Sequence, residues 1–393
     1  MRRHVRRAIE AARSLDRRLT RRRDLRRILF NARTAMNYAM VAPVRRAMET
    51  DPRIEFYFTA SEAPKQAAAI LREAGADARI VSLRRASIMR FDAYIAADLL
   101  WLTLPRGARR VQMFHGVAGK YAHDYDRPTT SMRHWHKHFF VNERRLRNFI
   151  AAGAIDGGGE SARLVGMPKV DCLVDGSLSR TAAAAALGLD PSRPTILYAP
   201  TWSAASSINC LGVEFIERLL AGPWNTLVKL HDRLRDERPF YSGGLDWGAR
   251  LDSLLQGPHA RLASGADICP YLAAADVMVT DHSSAGFEYL LLDRPLVRVH
   301  VPKLLEQSNT NKEYVDLLCA ASTTATDTAT VIAAVEKSLA DPSHLSSTRV
   351  SVANDLFYRP GTATQRASDE LYALMELERP AVGTSHVERT AAA

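Results

Sequence analysis

Four short stretches of this sequence place titratable or hydroxyl side chains directly after apolar runs that would hold them still. "VQMFHG" closes on His115, "LYAPTW" on Pro200, Thr201 and Trp202, and "LVKLHD" on Lys229 and His231, while "VMVTD" leads into Ser283 and Ser284. Each run reads as a strand, and in open α/β sheets ligands bind beyond the carboxyl ends of strands. His115 is followed by Gly116, Val117, Ala118, Gly119 and Lys120, a flexible loop with one base; an imidazole of pKa about 6.5 can take a proton from an attacking hydroxyl. Lys229 and His231 fall on one side of a strand by its period of two, so both can meet phosphate oxygens, the lysine as a charge and the histidine as a donor.

The segment "TDHSSAGFE" (280–288) runs from strand into helix. The first N–H groups of that helix lack partners and attract an anion, and Ser283 and Ser284 add hydroxyls there. Glu288 lies one turn further on and can accept hydrogen bonds from ribose hydroxyls. An N-cap role would explain one serine but neither the second nor the glutamate. The spacing predicts a nucleotide diphosphate site. "HWHKHFFV" sets His134, His136 and His138 on alternate positions, yet no acid is spaced to complete a metal box, and the stretch reads as entry to a buried strand. The sequence calls for no metal or other cofactor.

The elements that must position these groups follow from composition and pattern. At 393 residues, 47% hydrophobic and 24% charged, the chain fits two globular domains. No apolar run is long enough to span a bilayer, and the N-terminus lacks the pattern of a secretory signal. Cys172, Cys210, Cys269 and Cys319 are scattered, which points to reduced thiols in the cytoplasm. Residues 1–33 hold 13 arginines against Glu10, Asp16 and Asp24, so the whole net charge of +10 resides there and the body is neutral. That argues against nucleic acid as a partner. Val5, Ile9, Ala12, Leu15, Leu19, Leu25, Ile28 and Leu29 recur among the arginines at roughly helical spacing. A basic amphipathic helix over 1–35 that docks on an anionic membrane surface is the expectation.

Strand candidates at 53–60, 91–98, 109–116, 137–142 and 163–168 alternate with helical segments such as 62–75 and predict an α/β domain over 36–180. After a connection, a second series at 194–202, 225–232, 260–264, 276–281 and 295–300 predicts a nucleotide-binding α/β domain over 190–378. Residues 379–393 read as a disordered tail. The fold expected is two doubly wound Rossmann-like domains facing a cleft.

Taken in order, these strand ends resemble the CDP-glycerol glycerophosphotransferase family, enzymes that prime and extend teichoic-acid-type polymers. "HGVAGK" (115–120), "GMPKVD" (166–171), "YAPTW" (198–202), "KLH" (229–231) and "TDHSSAGFE" match its motifs in register, and "FYRPGTATQRASDEL" is similar to its closing segment. The chain departs from the pattern at Ser203, where the family usually has arginine, at Asp232 for proline, at His282 for tyrosine and at Glu288 for aspartate. The resemblance implies a GT-B fold with peripheral attachment at the inner face of the cell membrane. It implies that His115 through Gly119 line the donor cleft, that Lys169 pairs with phosphate, and that Pro200 and Thr201 flank the nucleotide. Lys229, Leu230 and His231 would meet the diphosphate, Ser283 and Ser284 a phosphate, and Glu288 the ribose. The reaction expected is attack of a hydroxyl of a lipid-linked or polymer acceptor, deprotonated by His115, on the glycerol-bearing phosphorus of CDP-glycerol, with loss of CMP. The same contacts would serve a GT-B glycosyltransferase or epimerase-like enzyme with a UDP-sugar. A third expectation is a catalytically silent GT-B partner module.

Overall fold

The structure, a computed structural model, describes residues 2–22, 24–60, 64–75, 79–97, 107–114, 116–117, 132, 134–156, 159–308 and 310–380. Helix α1 (Arg2–Arg22) is followed by β1 (Arg26–Asn31), helix α2 (Ala35–Met48), β2 (Ile54–Phe58), helix α3 (Pro64–Ala74), β3 (Arg79–Ile80), β4 (Ala93–Ala96), β5 (Arg109–Met113), β6 (Lys137–Phe140) and β7 (Ala162–Leu164). These strands form one parallel sheet in the order β3-β2-β1-β4-β5-β6-β7. A second parallel sheet holds β8 (Thr195–Tyr198), β9 (Asn225–Val228), β10 (Ala260–Leu262), β11 (Val277–Thr280), β12 (Leu296–Val299) and β13 (Thr323–Ala325) in the order β10-β9-β8-β11-β12-β13. Strand order reverses between β1 and β4 in the first sheet and between β8 and β11 in the second, which opens a crevice at each point. This is the doubly wound, two-lobed GT-B arrangement.

Helices cover both faces of each sheet, so alternate residues of one strand enter different cores. Ile196 and Tyr198 pack on one face of the second sheet while Leu197 packs on the other. One apolar cluster crosses between the lobes and includes Phe30, Val41, Val170, Leu173, Leu272, Phe287 and Leu371.

The basic segment is not one helix. α1 ends at Arg22, and Ile28, Leu29 and Phe30 lie fully buried in β1, an interior strand of the first sheet. Helical spacing over 25–29 was coincidental: a short apolar run carries no period of its own, and its burial on both faces marks a strand. β3 and β13, of two and three residues, also carry too little pattern to be seen.

The lobe boundary differs from the expected one as well. The helix Ala363–Leu374 crosses back to the first lobe, where Arg26 donates to the Met375 carbonyl at 3.0 Å and Arg53 to that of Glu378 at 2.8 Å. The expected tail lies outside the described residues from 381 onward.

Candidate functional site

At the crevice of the second sheet, the ends of β8 and β11 are tied by an acid. The Asp281 carboxylate is fully buried and accepts from the Thr201 amide (2.8 Å), the Ser207 amide (3.0 Å) and the Ser207 hydroxyl (2.8 Å). Thr280 adds a bond from its hydroxyl to the Ala199 carbonyl at 2.6 Å. The Pro200–Thr201 loop is thereby held beside the turn that carries Ser283. Sequence reasoning passed over Asp281; an acid directly after an apolar strand, ahead of two serines, was the available signal. Ser283 caps the helix Ser284–Tyr289, its hydroxyl accepting from the Ala285 amide at 3.3 Å, and Ser284 is exposed.

β9 ends at Val228, so Lys229 and His231 sit in the following loop and the strand's period does not govern them. Lys229 is buried, and its ammonium donates to the carbonyls of Gly265 (2.9 Å) and Leu230 (3.3 Å). Burial pushes its pKa below the ordinary lysine value, and neighbouring cations, Lys169 among them, add to the shift against the pull of Asp232. The Leu230 side chain is core, which leaves only its backbone for a ligand. His231 caps the short 3-10 turn Asp232–Arg235, its Nδ1 accepting from the Arg233 amide at 3.1 Å. That bond occupies the Nδ1 lone pair, so in the neutral ring Nε2 carries the hydrogen.

Lys169 and Glu288, assigned to phosphate and ribose, meet each other. The Lys169 ammonium lies 2.6 Å and 2.9 Å from the two Glu288 oxygens, both side chains buried, and the pair bridges the lobes. Burial opposes the lysine's charge, but the Glu288 carboxylate outweighs it and raises the pKa above the ordinary value. Lys169 also borders a cavity of about 700 Å³ between the lobes, lined by one face of α2, the 264–271 loop and residues 361–365. Of the described residues assigned to the site, it alone does so. Glu73 of α3, an exposed side chain, lines this cavity and accepts from the Ala266 amide at 3.4 Å, and partial desolvation raises its carboxyl pKa.

The rest of "GMPKVD" is structural. Gly166 has φ +89°, and a Cβ there would stand 2.5 Å from the Tyr358 carbonyl oxygen, so only glycine lets the returning chain approach. Asp171 accepts from the amides of Gly361 (2.8 Å), Ala363 (3.1 Å) and Thr364 (2.6 Å) and caps the last helix.

In the first lobe, His115, Ala118, Gly119 and Lys120 lie outside the described residues. Gly116 and Val117 are pinned: their carbonyls accept from Arg145 at 2.7 Å and Asn142 at 3.1 Å. Arg145 in turn stacks 4.0 Å over Phe114. Of the three alternating histidines, His134 is exposed, His136 accepts from the Arg110 amide at 3.0 Å, and burial lowers the His138 pKa to about 4.

Two parallel sheets facing across a crevice, with cations and donors at the strand ends of the second, define a GT-B enzyme that acts on an anionic, nucleotide-type substrate. The chain belongs to the family described as CDP-glycerol:poly(glycerophosphate) glycerophosphotransferase, whose model matches residues 17–373. Membership brings the reaction class, transfer of glycerol phosphate from CDP-glycerol. In fold the chain is similar to the wall teichoic acid polymerase TagF, at 16% identity over 95% of this chain and 96% of that one, TM-score 0.67. A variant of that polymerase soaked with CDPG gives 14% identity, 90% of each chain and TM-score 0.68. The UDP-GlcNAc 2-epimerase of Neisseria meningitidis, bound to UDP-GlcNAc, gives 12% identity over 89% of this chain and 99% of that one, TM-score 0.53. No curated protein matches the chain.

Proposed function

We propose that this chain transfers glycerol phosphate from CDP-glycerol to a hydroxyl of a membrane-associated polymer or lipid-linked acceptor, releasing CMP, in teichoic-acid-type polymer synthesis. The observation that carries this reading is the joined strand ends, where Asp281 fixes Thr201 beside Ser283 while Lys229 and His231 follow the adjacent strand. A diphosphate placed over them meets the His231 Nε2–H, the Lys229 ammonium and the Ser283–Ser284 turn, with Pro200, Thr201 and the Leu230 backbone alongside. Glu288 keeps lone pairs beyond those facing Lys169 and can accept from ribose hydroxyls while the pair persists. His115, with Gly116 to Lys120 around it, is the base. It takes the acceptor's proton, the oxygen attacks phosphorus, and the bond to CMP breaks with its electrons passing to the CMP phosphate. His231 and Lys229 meet the charge that develops there.

The test is CMP release from CDP-glycerol, run beside CDP-ribitol and UDP-sugars. His115→Ala is expected to lower turnover about 10²–10⁴-fold with nucleotide affinity retained. Turnover within tenfold of wild type removes His115 from the mechanism, and UDP release in place of CMP turns the assignment to a sugar donor.

Membrane attachment through α1 is part of the proposal. The helix is dense in arginine and leaves Leu15 and Leu19 exposed (60% and 50%), which supports an apolar edge free to enter a headgroup layer. Among the described residues no helix is long and apolar enough to cross a membrane. Deletion of residues 1–22 is expected to abolish binding to vesicles rich in phosphatidylglycerol at low salt; unchanged binding overturns the attachment. A longer deletion through residue 33 would remove β1, which pairs with β2 and β4 inside the first sheet, and test folding instead.

A further inference from the structure

Two residues beyond His231, the Arg233 guanidinium rests 4.2 Å from the Trp202 ring centroid and 4.8 Å from that of Tyr241, rings that meet edge to face at 5.5 Å. Its backbone amide is the donor to His231 Nδ1, so the arginine and the histidine move together. Among the described residues the Arg233 side chain donates no hydrogen bond and joins no ion pair. Asp236, the acid three residues on, is held through both oxygens by Arg238 at 2.5–3.0 Å. A guanidinium stacked on aromatics is fixed in place while its N–H edges remain available, and that fork matches the oxygens of a phosphate. Along this loop burial falls away: Lys229 is buried, His231 and Arg233 are half-buried, and Phe240 further on is 74% accessible.

We propose that Arg233 binds the phosphodiester of the acceptor nearest the attacking hydroxyl, and so selects an acceptor that already carries glycerol phosphate over a neutral one. This rests on the glycerophosphotransfer reading. A glycerol unit has only three carbons, so a polymer's terminal hydroxyl always has a phosphodiester close behind it, with one permanent negative charge. The inner cations and the His231 Nε2–H face the donor. The stacked arginine, further along the same loop, meets the second substrate as it enters.

Calorimetric titration of the full chain with a short synthetic glycerol phosphate oligomer, and separately with CDP-glycerol, tests this without requiring turnover. Arg233→Gln is expected to weaken oligomer binding about tenfold and to flatten its salt dependence, leaving CDP-glycerol affinity within about twofold. Arg233→Lys keeps the charge but loses the fork, and falls between. The proposal is overturned if Arg233→Gln binds the oligomer as wild type does, if wild type does not bind it, or if both ligands weaken by the same factor, which would assign Arg233 to the donor. Should wild type bind the oligomer yet release no CMP from CDP-glycerol, the donor assignment fails while the titration still decides the role of Arg233.

Discussion

Lys169 and Lys229 are two buried ammonium groups, one bordering the cavity between the lobes and the other bonded to the Gly265 carbonyl in its wall, and their surroundings set them apart. Lys169 faces a carboxylate on the opposite lobe and is stabilised in its charged form. Among the described residues Lys229 donates only to carbonyl oxygens, and although Asp232 and Asp267 pull the other way, burial leaves it holding its proton less firmly than an ordinary lysine. A buried cation with its counter-charge supplied by the protein has little electrostatic need of a ligand. One solvated by carbonyls alone gains most when an anion arrives, because that anion supplies the missing charge. The comparison sets Lys169 as a tie between the lobes, and it supports the proposal that Lys229 meets the donor's diphosphate.

Breaking the pair should have the largest effect. Glu288→Ala strands the Lys169 charge in a buried site, and a loss of about 3–5 kcal/mol in chemical denaturation is expected. Lys169→Met combined with Glu288→Leu removes both charges and is expected within about 1 kcal/mol of wild type, since well-packed apolar replacements of buried pairs are commonly neutral or stabilising. If Glu288→Ala denatures at the wild-type midpoint, the pair does not join the lobes in solution.

The opposite pattern is expected at Lys229. Lys229→Met removes a buried charge that has no carboxylate partner, so stability should hold or rise. CMP release from CDP-glycerol should fall about 10²–10³-fold, the scale for losing one fixed stabiliser of developing charge. A variant that is destabilised yet turns over normally would reverse the two assignments.

Much of this arrangement was legible in the sequence, for identifiable reasons. The second lobe's strands are apolar runs bounded by turn residues, and their polar ends stood out, although Lys229 and His231 lie in the loop beyond β9 and not within the strand, as their spacing had suggested. What stayed hidden depends on long-range pairing. Nothing local to Lys169 or Glu288 signals that they meet across 119 positions in the chain. The same holds for Asp171, whose partners begin 190 residues later, and for the last helix crossing back to the first lobe. β1 was hidden differently: its apolar triplet follows a genuine basic helix whose spacing it happens to continue.

The smallest expected effect is a dependence on pH, and it separates the lysines by sign. With its native pKa lowered, Lys229 releases its proton before the unfolded chain does. Its burial therefore becomes less costly as pH rises from that value toward about 10.5, and its contribution to stability grows over that window. Donor affinity should move the other way, because the diphosphate of CDP-glycerol is esterified at both ends, has no further ionisation in this range, and needs the ammonium charged. Lys169, with its pKa raised, stays charged throughout the window and contributes neither trend. Titrating CDP-glycerol between neutral pH and pH 10 should thus show weakening binding in wild type and a flat profile in Lys229→Arg, whose guanidinium does not titrate there. An equal decline in both proteins would place the titrating group elsewhere, and Lys229 would lose its claim to the diphosphate.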